Sequence, residues 1–265
     1  MLPDMKHAPS SPHPRWLLGT VLAIGLTLSG PGHAGTNTLA LGVGIQRMPS
    51  WPGADSERGE PLPYIDIEVP DRFSVSTLDG LQIELLHDGD LRGGIYGDYQ
   101  WGRDRGELGM LGGKIASLSP RLNLGGYLEW QLTRQVDVGV NLSHDINGAG
   151  AYLQAYAEWD LPAVGLLQHS IELHWQGMNA RAMNRFFGLS QAEARALDVR
   201  PWRPGGGSQL ASLEYDLFLP TSQRTGVALA LVYGRLFGGA GNSPLVTHFG
   251  SRTQLSESLA FVYHL

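Results

Sequence analysis

Hydrophobic and polar residues alternate one by one along most of the chain, most cleanly over residues 122–143. Leu122, Leu124, Gly126, Leu128, Trp130 and Leu132 oppose Asn123, Gly125, Tyr127, Glu129 and Gln131. After Thr133 and Arg134 the pattern resumes, with Val136, Val138, Val140 and Leu142 against Asp137, Gly139, Asn141 and Ser143. A period of two predicts strands, because successive side chains on an extended backbone point to opposite faces. This pair reads as a hairpin with one aliphatic face and one face carrying ionisable groups. Similar alternation over residues 38–46, 61–69, 73–77, 81–85, 94–101, 151–159, 167–175, 210–219, 226–233 and 254–265 brings the count to about twelve strands, with ten as the alternative. In the last of these, Leu255, Glu257, Leu259, Phe261, Tyr263 and Leu265 share a face. A strand that persists to the final residue is expected where it must pair with the first strand to close a sheet.

Connection lengths sort in the same sense. Short links fall at residues 70–71, 87–90, 133–134, 160–165 and 220–225, and long ones at 48–60, 102–120, 177–208 and 237–252. Counted in strand order, the short links lie on one rim and the long loops on the other, although two crossings on the long side, 77–80 and 144–149, are short. This is the asymmetry of an outer-membrane barrel, whose turns face the periplasm. The predicted fold is all-β: a closed antiparallel transmembrane β-barrel with one short helix in a long extracellular loop. That helix is placed at residues 190–197, where Ser190 and Glu193 have the spacing of a capping box and Pro201 bars continuation. Glu257, the one acid on the lipid face of the last strand, is predicted near a rim, where an ionised group costs about 0 to 1 kcal/mol. His169 interrupts an apolar face and is predicted near a membrane interface.

The start of the chain points to export. Lys6 and Arg15 precede an apolar run at residues 16–28, and small residues follow. Residues 1–34 therefore read as a signal peptide cleaved between Ala34 and Gly35, leaving 35–265 as a single barrel domain. The absence of cysteine in the 265 residues removes a disulfide scaffold, and the net charge of −6 argues against a nucleic-acid partner. A mean hydropathy of −0.12 does not oppose a membrane protein of this kind, since lipid-facing and lumenal residues average out within any window.

The sequence carries no nucleophile elbow, phosphate loop, paired zinc-ligand motif or calcium loop, so no catalytic, cofactor-binding or metal residue is assigned. Ser143, His144 and Asp145 bring three triad residue types together, but neighbours on a strand face opposite ways and cannot line up. Glu172 and His174 do share a face. They form a candidate lumenal polar pair, read as part of a hydrogen-bonded lumen in preference to an acid/base pair. Asn242, Ser243 and Pro244 read as a turn.

Several stretches carry a family resemblance: Leu41-Gly42-Val43-Gly44 followed by Pro49 and Pro52-Gly53, then Pro61-Leu62-Pro63-Tyr64, Phe186-Phe187-Gly188-Leu189-Ser190, and Asn242-Ser243-Pro244-Leu245-Val246. With these, nearly the whole mature chain resembles the MltA-interacting protein (MipA/OmpV) family of Gram-negative outer-membrane proteins. Phe261, Tyr263 and Leu265 likewise resemble the C-terminal signal read by the barrel assembly machinery. The family resemblance implies a non-enzymatic envelope scaffold that connects a lytic transglycosylase with a penicillin-binding protein, its other contact being outer-membrane lipid. The rival expectation is a small cation-preferring pore or a ligand-binding barrel or adhesin, since Asp66, Glu68, Glu84, Asp98, Glu129, Asp137, Glu158, Glu172, Glu214 and Asp216 are predicted to face the lumen.

Overall fold

The computed structural model describes residues 37–265; the leader and the Ala34/Gly35 junction lie outside the described residues. Twelve strands form a closed antiparallel barrel in which each pairs with its neighbours in sequence and the last with the first. They are Thr38–Pro49 (β1), Glu57–Val69 (β2), Phe73–Ser76 (β3), Gly80–Asp88 (β4), Leu91–Gln100 (β5), Arg121–Thr133 (β6), Val136–Asp145 (β7), Ala151–Val164 (β8), Leu167–Met178 (β9), Gly207–Pro220 (β10), Thr225–Leu236 (β11) and Thr253–His264 (β12). No helix is long and apolar enough to cross a membrane among the described residues.

The closing seam runs from Ala40 opposite His264 to Arg47 opposite Glu257, and the Leu265 N–H donates to the Leu39 carbonyl at 2.9 Å. Gly42 and Gly44 let the seam close tightly: a Cβ there would lie 2.4 and 2.3 Å from the carbonyl oxygens of Phe261 and Leu259. Glu257 sits at the rim beside Arg47, 3.6 Å away. His169 is tied to the Tyr215 hydroxyl at 2.9 Å and to the Pro162 carbonyl at 3.1 Å.

The faces follow the pattern of the sequence. Val43, Ile45, Leu142, Leu173, Leu213 and Leu259 point outward and are exposed, with Trp130, Trp159, Phe261 and Tyr263 toward the short-turn rim and Trp175 and Tyr233 toward the other. Inward, Ala228, Ala230, Val232, Ala260 and Val262 make the wall from β11 to β12 small and apolar, and Leu62, Tyr64, Leu78 and Phe218 pack against it. The adjoining wall, from β10 round to β5, carries most of the buried acids, among them Glu214, Asp216, Glu172, Glu158 and Asp137, with Tyr127 and Tyr96.

One sector departs from the regular wall. β3 has four residues, so the β3–β4 hairpin stops partway up and its tip turns inward, where Leu78 is 2% exposed. Beyond the tip, β2 and β5 have no strand between them. The Ile65 N–H donates to Thr77 Oγ1, and the Ile65 carbonyl accepts from the Thr77 N–H. The backbone groups two and four residues earlier therefore face the same, unpaired edge. Those residues are Pro63 and Pro61, which have no N–H to leave unsatisfied. They lie opposite Val43 and Ile45, within the lipid-facing band, where each unpaired amide would cost several kcal/mol. Side chains bridge the gap instead: Arg58 lies over the Trp101 ring at 5.2 Å and is ion-paired with Glu107.

The long loops meet as a cap over the mouth. Trp51 and Ala54 from the β1–β2 loop, Leu108, Leu111 and Ile115 from the β5–β6 loop, Leu189 and Leu197 from the β9–β10 loop and Leu245 from the β11–β12 loop form one buried apolar cluster. A second cluster beside it joins Met183, Phe186 and Phe187 to Leu210, Leu236 and Val246. The predicted helix is present as Gln191–Leu197, with its capping box formed, and among the described residues it is the second of four α-helices: Ala180–Phe187 (α1), Gln191–Leu197 (α2), Gly238–Gly241 (α3) and Pro244–Phe249 (α4). Ser243 caps α4 and is not a simple turn residue: its Oγ accepts from the Leu245 N–H at 3.2 Å and donates to the Phe187 carbonyl at 2.7 Å. The strands of the first hairpin are also longer than predicted, and residues 57–60, read as loop, are paired with β1 as far as Glu57 opposite Pro49.

Candidate functional site

Ionisable groups collect on the lumenal faces of β8, β9 and β10. Strand register puts Glu172 between Glu158 on one side and Glu214 on the other, and puts His174 opposite Ser212. These positions are deeply enclosed: Glu172 is 5%, His174 3% and Glu214 0% exposed. His174 Nε2 lies 3.2 Å from Glu214 Oε2 and 3.4 Å from Glu172 Oε2, while its Nδ1 lies 3.1 Å from the Gln154 amide. Asp216, two residues along β10, adds a carboxylate beside Glu214 and Glu172, and Asp79 at the β3–β4 tip adds another.

Burying like charges at paired positions is expensive unless something positive or a proton sits among them. Farther round the wall the balance is local: Arg92 Nη2 lies 2.8 Å from Glu129 Oε1, and the Tyr156 hydroxyl donates to Glu129 Oε2 at 2.6 Å. Toward the cap, a cavity of about 90 Å³ is lined by amides and aromatic rings, among them Asn123, Asn141, Gln154, Tyr96 and Phe186. It has room for water, which suits Asn123 Oδ1, Asn141 Oδ1 and Asp98 Oδ1, each buried without a hydrogen-bond partner.

The structure thus brings the sequence pair Glu172 and His174 together in the lumen and adds Glu214, which sequence reasoning did not join to them. The signal was a matter of register: Glu172 and His174 share a face at two-residue spacing, but Glu214 belongs to the group only once β10 is aligned with β9. Neither ring nitrogen of His174 meets a hydroxyl among the described residues, so the geometry of a nucleophile and its base is not formed there. Ser143 and Asp145 point inward while His144 is exposed, as the alternation requires. Phe261, Tyr263 and Leu265 lie together on the lipid face of the closing strand and just beyond its end. At the short-turn rim, Asp71, Glu84 and His87 form a second cluster, with His87 Nδ1 2.6 Å from Glu84 Oε1 and 3.2 Å from Asp71 Oδ1.

A closed strand barrel with an apolar exterior, aromatic residues toward both rims, short turns at one end and long loops at the other is an outer-membrane β-barrel protein. The sequence matches the family described as MltA-interacting protein MipA over residues 41–265; the chain belongs to that family and resides in the outer membrane. A search of curated proteins finds no match. Among solved structures, the NanC porin is similar at 9% identity and a TM-score of 0.45, covering 86% of this chain and 100% of the porin. The monoaromatic hydrocarbon channel CymD gives 12% and 0.41, covering 86% and 88%. The outer-membrane channel DcaP of Acinetobacter baumannii gives 6% and 0.39, covering 89% and 99%.

Proposed function

We propose that this protein is a non-enzymatic, non-conducting barrel that serves as an outer-membrane scaffold of the cell envelope, holding a lytic transglycosylase near a murein-synthesising penicillin-binding protein. The observation that carries the reading is the cap: loops from four places around the rim meet in one buried apolar layer across the mouth. Below it, Leu78, Tyr64 and Phe218 fill the lumen from the side. A diffusion pore needs a continuous wet path, and a buried apolar layer opposes one despite the acidic wall that would suit cations. What remains available is the outside of the barrel and its rim. The family description supports a protein partner of the MltA type.

Two- to four-residue turns expose little area, whereas a stable contact usually buries on the order of 800 Å² per partner. The partner is therefore expected to use the lipid-facing wall together with the rim, which requires that it be anchored in the same membrane. Site-specific photo-crosslinking from outward positions near the short-turn rim, such as Trp130 and Trp159, tests this in intact cells. Adducts with a lytic transglycosylase are expected; their absence from every rim position would overturn the scaffold. In planar bilayers the purified barrel should be electrically silent, and steady single-channel conductance would return the pore to first place.

A further inference from the structure

We propose that Glu172, His174 and Glu214 form a site for one divalent transition-metal ion of the zinc type, set in the lumen against the inward-turned tip of the β3–β4 hairpin. One ligand atom from each residue can be chosen so that all lie within 4.8 Å of one another. The spacings fit a common centre. Bonds of about 2.0 to 2.1 Å in a tetrahedron place neighbouring ligand atoms about 3.3 Å apart, and His174 Nε2 is 3.2 and 3.4 Å from the two carboxylate oxygens.

A hydrogen-bonded cluster accounts for less. A single Nε2–H serves one of the two carboxylates well, and Glu172 Oε2, 3.4 Å from the ring nitrogen and on a residue only 5% exposed, is left with no hydrogen-bond partner. Asp216, 2% exposed, adds a second buried carboxylate against Glu214 and does not relieve Glu172. The charged neighbours make matters worse: Asp216, Glu172 and Asp79 surround Glu214 with negative charge. Arg92, on the lumenal wall, is engaged with Glu129. A cation placed among these oxygens offsets the repulsion and occupies the free lone pairs together.

The donor set selects the class of ion. Calcium and magnesium take oxygen ligands, whereas one imidazole with two carboxylates suits zinc and its first-row neighbours. Gln154 completes the arrangement. The two ends of an amide are interchangeable in assignment, and with its oxygen toward the ring Gln154 accepts the Nδ1–H. That leaves the Nε2 lone pair facing the carboxylates, which is how a metal-bound histidine is usually oriented. A water supplies the fourth ligand of such a site.

Barrel refolded into detergent and stripped with EDTA, then titrated with Zn²⁺ against a chromogenic chelator, should bind one ion per chain. His174→Ala and Glu214→Gln, each checked for folding by heat-modifiable gel mobility, should bind at least ten-fold more weakly. Asp71→Asn at the exposed rim cluster should bind as the wild type does. Co²⁺ in the wild-type barrel should give the intense visible absorption of a tetrahedral site, a readout that does not depend on any variant folding. No saturable Zn²⁺ binding by the folded wild type, an octahedral Co²⁺ spectrum, or binding lost in Asp71→Asn but kept in the lumenal variants would each overturn the site.

Discussion

Single residues in the cap hold distant segments together through backbone groups. Ser243 is fully buried and bonds at once to its own helix and to the carbonyl of Phe187, 56 residues away. Ser243→Ala should lower the stability of the cap by about 1 to 2 kcal/mol, seen as faster proteolysis within residues 180–205 while heat-modifiable mobility persists. Glu193 is a second such point. Burial alone would raise its pKa, but hydrogen bonds from Ser190 and the Ala116 N–H, with the Arg103 guanidinium nearby, hold it below the usual carboxylate range. A carboxylate depressed in the folded state stabilises above its unfolded pKa, and that contribution is lost as pH falls through the folded one. Amides of α2 should therefore be protected from hydrogen exchange at neutral pH and lose protection at pH below about 4, whereas Glu193→Gln should make their protection insensitive to pH over that range. The capping box was legible in the sequence because its spacing is local. The Ser243 contact was not, since its partner is remote.

At the scale of elements, alternation located every strand but measured them unevenly. β6 and β7 were legible because the lipid face is almost purely apolar and the lumenal face polar or glycine. The start of β2, residues 57–60, was hidden because Glu57, Arg58, Gly59 and Glu60 continue a polar, glycine-containing loop sequence; Pro61 and Pro63, read within the strand, occupy positions that only an unpaired edge tolerates. β4 was blurred differently: a register shift between Glu84 and Leu86 leaves Leu85 and Leu86 both exposed, so the two-residue period breaks there. Restoring the donors tests the account of the edge. Pro61→Ala together with Pro63→Ala should lower the temperature of the heat-modifiable transition, because two N–H groups would face hydrocarbon without partners. An unchanged transition would mean that the edge has an acceptor.

For the whole molecule, closure and the inside/outside division followed from the sequence, since any twelve alternating segments of this kind must seal their backbone groups against lipid. The cap did not follow. Its apolar residues, Leu108, Leu111, Ile115 and Leu197, come from loops without strand periodicity, and only the folded chain shows that they converge. The filled lumen is in the same position: the inward turn at Leu78 depends on a hairpin that is too short, a matter of length and not of pattern.

That truncated hairpin gives the cylinder a built-in line of weakness. Elsewhere a thermal fluctuation must break a ladder of main-chain bonds to pull neighbouring staves apart, but along the outer leaflet between β2 and β5 side-chain contacts, Arg58 on Trp101 and Glu107 among them, take the place of that ladder. Amides of residues 57–64 should exchange with deuterium well before those of β9 and β10, and a disulfide engineered across that gap should delay unfolding more than one placed across any fully laddered pair.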